Sequence, residues 1–268
     1  MRRLSFAALW AALAASSGLS ACRPSVSVGT RTCSEDGSDD GPPNEDLDAS
    51  PPLAIDWSTS FENRFCDYAL PGGHCYPTAP GSFDVVTSPK PPSGRYAAAF
   101  RVTSGDPITY QARCIRQGAL PASAYYSARY YIPAIPTRIG NWNLFHFNGG
   151  VDWDQIEGLL DVSLINAPGG GLQLAVYGPP NHSRIGNMPT IRTIPIGGWF
   201  RIQLYVEQTT ATTGIVRLSQ DDQQIFEAAN VLLGDWVVGQ WYVGNLADGL
   251  LPAASTVYVD DVSISASP

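Results

Sequence analysis

Phe200-Arg201-Ile202-Gln203-Leu204-Tyr205-Val206-Glu207 is the stretch that decides the fold class. Phe200, Ile202, Leu204 and Val206 fall on one side of an extended chain, and Arg201, Gln203, Tyr205 and Glu207 fall on the other. Successive side chains of a strand point to opposite faces, so the run predicts a half-buried strand with one polar side. The same period recurs in Leu172-Gln173-Leu174-Ala175-Val176-Tyr177 and in Ile108–Cys114, where Gln111 and Arg113 share a face. In Tyr125–Pro133 it sets Ser127, Arg129 and Tyr131 opposite Tyr126, Ala128, Tyr130 and Ile132. Further strands are expected at Arg95–Thr103, Trp142–Phe147, Gly214–Ser219, Gln240–Val243 and Thr256–Ser265. Turn signals such as Ala167-Pro168-Gly169-Gly170-Gly171 and Gly178-Pro179-Pro180-Asn181 punctuate them. Many short strands without βα alternation predict an all-β, two-sheet antiparallel sandwich. In the last strand the apolar parity switches from Val257 and Val259 to Val262 and Ile264, which predicts a bulge at Asp260-Asp261 that re-aims one carboxylate.

The chain has 268 residues, with 16 basic and 24 acidic side chains and a net charge of −8, so the basic face of a nucleic-acid binder is not expected. Its start is an export address. Met1-Arg2-Arg3 precedes an uncharged apolar run from Leu4 to about Ala15, too short to span a bilayer and typical of a signal-peptide core. Leu19-Ser20-Ala21-Cys22 resembles the bacterial lipobox, which implies a signal peptide over 1–21 and a lipidated Cys22. Arg23, in place of Asp, implies sorting to the outer membrane, with the membrane reached through the lipid anchor alone. Residues 22–52 are rich in Ser, Asp, Glu, Gly and Pro and read as a disordered acidic tether, ahead of a folded domain over 53–268. Removing Cys22 leaves Cys33, Cys66, Cys75 and Cys114, and an exported chain is expected to pair them as two disulfides. Three pairings exist. Cys66–Cys75, close in sequence, is the first choice and leaves Cys33–Cys114.

Several stretches occur in a familiar order: Phe61-Glu62, Gly94-Arg95-Tyr96-Ala97-Ala98-Ala99-Phe100, the Tyr-rich run Tyr125–Pro133, Gly198-Trp199-Phe200-Arg201-Ile202 and Val257-Tyr258-Val259-Asp260-Asp261-Val262. Together they resemble the concanavalin-A-like jelly rolls of laminin-G-like and heparin-lyase-like polysaccharide-acting proteins. The resemblance covers about Ile55 to Ser265 and implies a jelly-roll sandwich with a polysaccharide partner. It also implies a structural calcium ion between first and last strands, with Glu62 and Asp260 as ligands, since calcium takes about six to eight hard oxygens. The competing reading is that these acids cap strand ends or meet arginines.

If one sheet is curved, its polar side forms a groove, and Arg113, Arg129, Tyr131, Gln173, Tyr177, Arg201, Gln203 and Tyr205 are expected to share it, with His146 as a further candidate. Planar Tyr and Arg side chains stack on pyranose rings, Gln bonds hydroxyls, and guanidinium pairs bidentately with carboxylates or sulfates. The first functional reading is therefore a surface lipoprotein that binds glycans without catalysis. The alternative is a polysaccharide lyase acting on a uronate-containing glycan, with His146, Tyr177 and Arg113 as its catalytic set. A third reading is a structural envelope scaffold. His146 alternates with Trp142 and Leu144, so the pattern equally places it in the core as a satisfied histidine. The laminarinase-type Glu-x-Asp-x-x-Glu strand, the Ser nucleophile elbow and the phosphate loop are all missing from the sequence.

Overall fold

The computed structural model describes residues 55–68, 73–78, 80–103, 110–118, 120–149, 157–179, 182–186, 191–210, 212–233 and 239–268. The chain divides into two units, Met1–Gly37 and Ser38–Pro268, and every described residue belongs to the second. The expected signal peptide, lipobox cysteine Cys22, tether and Cys33 lie outside the described residues.

Fifteen strands make up the described part: β1 (Trp57–Thr59), β2 (Gly73–Pro77), β3 (Ser82–Val86), β4 (Ala97–Thr103), β5 (Tyr110–Gly118), β6 (Ser123–Tyr131), β7 (Asn141–Gly149) and β8 (Glu157–Asn166). They continue with β9 (Leu172–Gly178), β10 (Ser183–Arg184), β11 (Trp199–Gln208), β12 (Thr213–Gln220), β13 (Gln223–Leu232), β14 (Gly239–Asp248) and β15 (Ala254–Ser265). Sheet I runs β13-β12-β11-β6-β15-β4-β3, with β1 also on β15, and sheet II runs β10-β9-β8-β7-β14-β5-β2. The ladders within both sheets are antiparallel, as the alternation implied.

The core lies between the sheets. Phe200, Ile202, Leu204 and Val206 of β11, the run that set the fold class, are all fully buried, as are Tyr126, Ala128 and Tyr130 of β6. They meet Phe145, Phe147, Trp241 and Val243 from sheet II in one apolar cluster. Tyr126 crosses the interface, with its ring 4.9 Å from Phe147 and 5.1 Å from Trp241, both edge-on. Edge-to-face pairs add about 0.5–1.5 kcal/mol beyond the area they bury. Tyr130 also joins the layers: its hydroxyl donates to the Leu144 carbonyl at 2.8 Å and accepts from the Gly244 amide at 3.1 Å.

Bulges in β15 and β7 shape the faces. In β15 the register against β6 shifts between Asp260 and Ser263, and Asp261 takes φ 48°. Val257, Val259, Val262 and Ile264 are all buried as a result, as the parity switch predicted. The bulge also divides the strand: Ala254–Val259 pair with β4, and Val262–Ile264 pair with β1. In β7 the register against β8 shifts between Asn143 and Phe145. Leu144 is the extra residue, and Trp142, Leu144, Phe145 and Phe147 all join the core. His146 is thereby turned to the outer face, against the alternation that grouped it with Trp142 and Leu144.

The disulfide pairing differs from the expected one. Cys75 bonds Cys114, 39 residues away, with Cα atoms 3.9 Å apart, because the β2–β5 register sets the two directly opposite. Cys66 lies in a 3-10 turn over Cys66–Tyr68 and is disulfide-bonded as well, but not to Cys75. The expected Cys66–Cys75 and Cys33–Cys114 bonds are both excluded. Closeness in sequence gave the wrong partner because strand pairing, not loop length, sets which thiols meet.

Candidate active site

The outer face of sheet II is polar yet withdrawn from solvent. Arg113, Asn143, His146, Asn148, Asp161, Ser163 and Gln173 are all buried. Burying such groups costs free energy unless each is hydrogen-bonded. Here Arg113 Nε and Nη1, both amide atoms of Asn143, His146 Nε2, Asn148 Oδ1, Ser163 Oγ and Gln173 Oε1 have no partner among the described residues. These groups all lie on the outer face of sheet II.

Strand register assembles the reactive part. Tyr242 of β14 lies opposite His146 of β7, His146 opposite Asp161 of β8, and Asp161 opposite Tyr177 of β9. Paired residues project to the same side, so these four form a row across the sheet. Asp161 binds two imidazoles at once. Its Oδ1 lies 2.7 Å from His146 Nδ1, and its Oδ2 bonds His182 Nε2. Burial alone would raise the Asp161 carboxyl, but the attraction and hydrogen bond of His146 and the hydrogen bond of His182 hold it well below the usual carboxylate range. Burial lowers the His146 pKa, and the opposing pull of Asp161 does not reverse it. His182, less buried, is raised by its hydrogen bond to Asp161. At neutral pH the cluster is thus a carboxylate between a neutral His146 and a more readily protonated His182. With Asp161 ionised, His146 Nδ1 carries the proton and donates it, which leaves Nε2 as the basic nitrogen. That nitrogen is buried and unpartnered.

Beside this row sits a cation. Arg113 of β5 lies opposite Tyr76 of β2 on one side and Gly244 of β14 on the other. Its guanidinium carbon stacks 4.2 Å from the Tyr242 ring centroid, and Nη2 bonds Gln111 Oε1 and reaches Tyr76 Oη at 3.5 Å. The Tyr242 ring lies 5.1 Å from His146. Burial raises the Tyr242 hydroxyl well above its ordinary value, with Tyr76 adding to the shift, so it stays protonated. Gly244, at φ 146°, is what leaves room: a Cβ there would lie 2.5 Å from the Ala112 carbonyl oxygen and 2.8 Å from Arg113 Cα. A cavity of about 280 Å³ opens at the other end of the row, beside Ser163, Tyr177 and His182.

The single groove expected from the sequence is two faces. Arg113, His146, Gln173 and Tyr177 belong to sheet II, whereas Arg129 and Tyr131 on β6 and Arg201, Gln203 and Tyr205 on β11 belong to sheet I. Alternation tells which side of its own strand a residue takes, but not which layer the strand joins. Tyr177 is two strands from His146, about 10 Å at the usual strand spacing, so Tyr242 takes the position beside the imidazole expected for Tyr177. Asp161, Tyr242 and His182 were not singled out from the sequence. For Asp161 a signal exists, as a lone acid in the apolar alternation Leu160-Asp161-Val162-Ser163-Leu164.

The expected calcium ligands are placed differently from one another. Glu62 Oε1 accepts the Arg95 and Tyr96 amides at 2.7 and 2.8 Å, the capping role that competed with calcium. Asp260 is buried, accepts the Asp261 amide at 2.9 Å through Oδ1, and has no partner for Oδ2 among the described residues. Among the described residues no group of three or more His, Cys, Asp or Glu is arranged to hold a metal ion.

No protein-family model and no curated protein matches the chain. Solved structures do resemble it. A glucuronan lyase from the fungus Trichoderma reesei superposes with a TM-score of 0.51 at 16% identity, over 72% of this chain and 90% of that one. The alginate lyase Aly36B gives 0.54 at 11% identity, over 80% and 97%, and an alginate lyase of Aplysia kurodai gives 0.54 at 14%, over 78% and 97%. At such identities the likeness is one of architecture, and this chain has the concanavalin-A-like jelly-roll sandwich that those polysaccharide lyases share with it.

Proposed function

We propose that the protein is a polysaccharide lyase acting on a uronate-containing glycan, with its active site on the outer face of sheet II. The observation that carries this is the unpartnered Nε2 of His146, oriented through Nδ1 by a buried carboxylate and set beside Tyr242, which Arg113 overlies. A surface that only held sugars would have no use for a buried base. The lyases among the structural neighbours support the same class.

The roles follow from the chemistry of elimination. The positive charge of Arg113, whose Nε and Nη1 have no partner among the described residues, neutralises the uronate carboxylate and stabilises the charge that builds as C5 loses its proton. His146 Nε2 takes that proton. The electron pair forms the C4=C5 double bond, the bond from C4 to the glycosidic oxygen breaks, and Tyr242 Oη donates its proton to that leaving oxygen. Asp161 touches no reacting atom and acts as a positioning residue that fixes the His146 tautomer. Behind the expected lipid anchor at Cys22, such an enzyme would work at the bacterial outer membrane.

The test is incubation of the full chain with polymannuronate, polyguluronate and polyglucuronate, read by the ultraviolet absorbance of the unsaturated product. Wild type forms that product from at least one of them, and His146→Ala lowers the rate by at least about 10²-fold. Binding of a uronate polymer without unsaturated product would return the function to glycan binding alone.

A further inference from the structure

The outer face of sheet I takes no part in that chemistry, and we propose that it is a second, non-catalytic site that binds a neutral oligosaccharide. The β6–β11 register builds it. Trp199 lies opposite Tyr131, which lies opposite Tyr258 of β15, and the rings contact at 5.6 and 5.7 Å. At the other end Tyr205 lies opposite Tyr125, with centroids 4.7 Å apart. All five aromatics are half-buried, so each presents part of a ring to solvent. Tyr125 and Tyr131 are six residues apart on one strand, about 20 Å at the usual rise, which suits a short sugar chain and not a monosaccharide.

Between the two aromatic ends lies a cavity of about 630 Å³, lined in part by Ser58, Thr59, Ser127 and Ser263 and by Arg129 and Arg201. The charges there are already matched. Arg129 Nε lies 3.2 Å from Asp261 Oδ2, Arg201 Nη1 lies 2.8 Å from Asp222 Oδ1, and Arg201 Nε donates to Ser127 Oγ at 2.9 Å. Glu62 and Asp67 add two further carboxylates to the lining. Arg113 on the opposite face has free donors, but these arginines have carboxylate partners within a net-acidic surround, which disfavours an anionic ligand. Paired donors and acceptors side by side suit neutral sugar hydroxyls, each of which both donates and accepts. Gln203, 6% exposed and between Arg201 and Tyr205 on this face, has an Nε2 with no partner among the described residues, which serves the same purpose.

The two faces are separated by the thickness of the sandwich, so this site stands or falls independently of the lyase reading. Calorimetric titration of the full chain with cellotetraose, mannotetraose and xylotetraose tests it, with tetramannuronate as the anionic comparator. At least one neutral tetraose binds wild type and His146→Ala equally, and tetramannuronate does not compete for it. The double variant Tyr131→Ala/Tyr205→Ala weakens that binding at least about tenfold, whereas Tyr131→Phe/Tyr205→Phe, which keeps the rings, stays within about threefold. If the alanine pair fails to fold, Arg129→Gln is expected to weaken binding in its place. Absence of binding to all three neutral probes, or binding untouched by these substitutions, would overturn the proposal.

Discussion

Replacing Asp161 by Asn tests the mechanism where it is most exposed to failure. The carboxylate accepts from His146 Nδ1 at 2.7 Å and bonds His182 with its other oxygen. An asparagine can accept through only one of those atoms, and its amide nitrogen can only donate. If the amide faces His146, the imidazole must carry its proton on Nε2, and the base is lost. Hydrogen bonds to charged groups contribute about 1.5–3 kcal/mol each, so losing one of the two is expected to destabilise the fold by about 2 kcal/mol. Turnover should fall much further, by about 10²–10⁴-fold, as it does when a His-directing aspartate is amidated elsewhere. A pH profile separates positioning from stability. A base works above its pKa, and burial already places that of His146 below the ordinary histidine value, with Asp161 pulling it back up. Removing the charge lowers it further, so the acid limb of the residual kcat profile should move to lower pH. Unsaturated-product formation measures the rate and chemical denaturation the stability. Wild-type kcat in Asp161→Asn, or an acid limb that stays in place, would refute the assigned role.

Three further outcomes are expected. Arg113→Gln should lower kcat/KM on a uronate polymer by about 10²-fold, through both KM and kcat, because the guanidinium binds the carboxylate in the ground state and holds it more strongly as charge builds in the transition state; steady-state kinetics checks this. The Asp260 carboxyl is pushed up to about 7, by burial first and then by Asp261 and Glu62. A folded-state pKa above the unfolded one means stability is fully present below about pH 4 and is lost as pH rises toward 7, by a few kcal/mol at most. Denaturant midpoints at pH 5 and pH 8 should therefore differ in wild type and converge in Asp260→Asn, while EDTA and added calcium leave both unchanged; a calcium-dependent midpoint that Asp260→Asn abolishes would restore the metal. Finally, Cys75→Ser/Cys114→Ser opens a link spanning 39 residues and should cost about 4 kcal/mol, read by denaturation with and without reductant.

Much of the fold was legible because its strands are amphipathic. Phe200 to Val206 and Leu172 to Val176 alternate cleanly, and the parity switch at Asp260-Asp261 marks the bulge in the sequence itself. The candidate site was harder to read for physical reasons. His146 was grouped with core residues because one inserted residue, Leu144, reverses parity without a compositional mark. Arg113 and Arg129 looked equivalent because each is polar on an alternating strand, yet they lie in opposite layers. Layer membership is set by long-range pairing, to which local period is blind. The same blindness misdirected the disulfides, since the register of β2 against β5 is a tertiary fact.

The position of β15 has a consequence for how the molecule is made. This strand comes last in chain order but sits inside its sheet, with β6 on one flank and β4 then β1 on the other. Until residues through 265 have left the ribosome, β6 and β4 have no shared neighbour, and two bare rows of amides and carbonyls stay open. Sheet I is therefore completed only by pairings of long sequence separation, which form slowly. Truncations that remove β15 should give aggregates rather than a smaller soluble domain, and the nascent chain should bind holdase chaperones until that strand arrives.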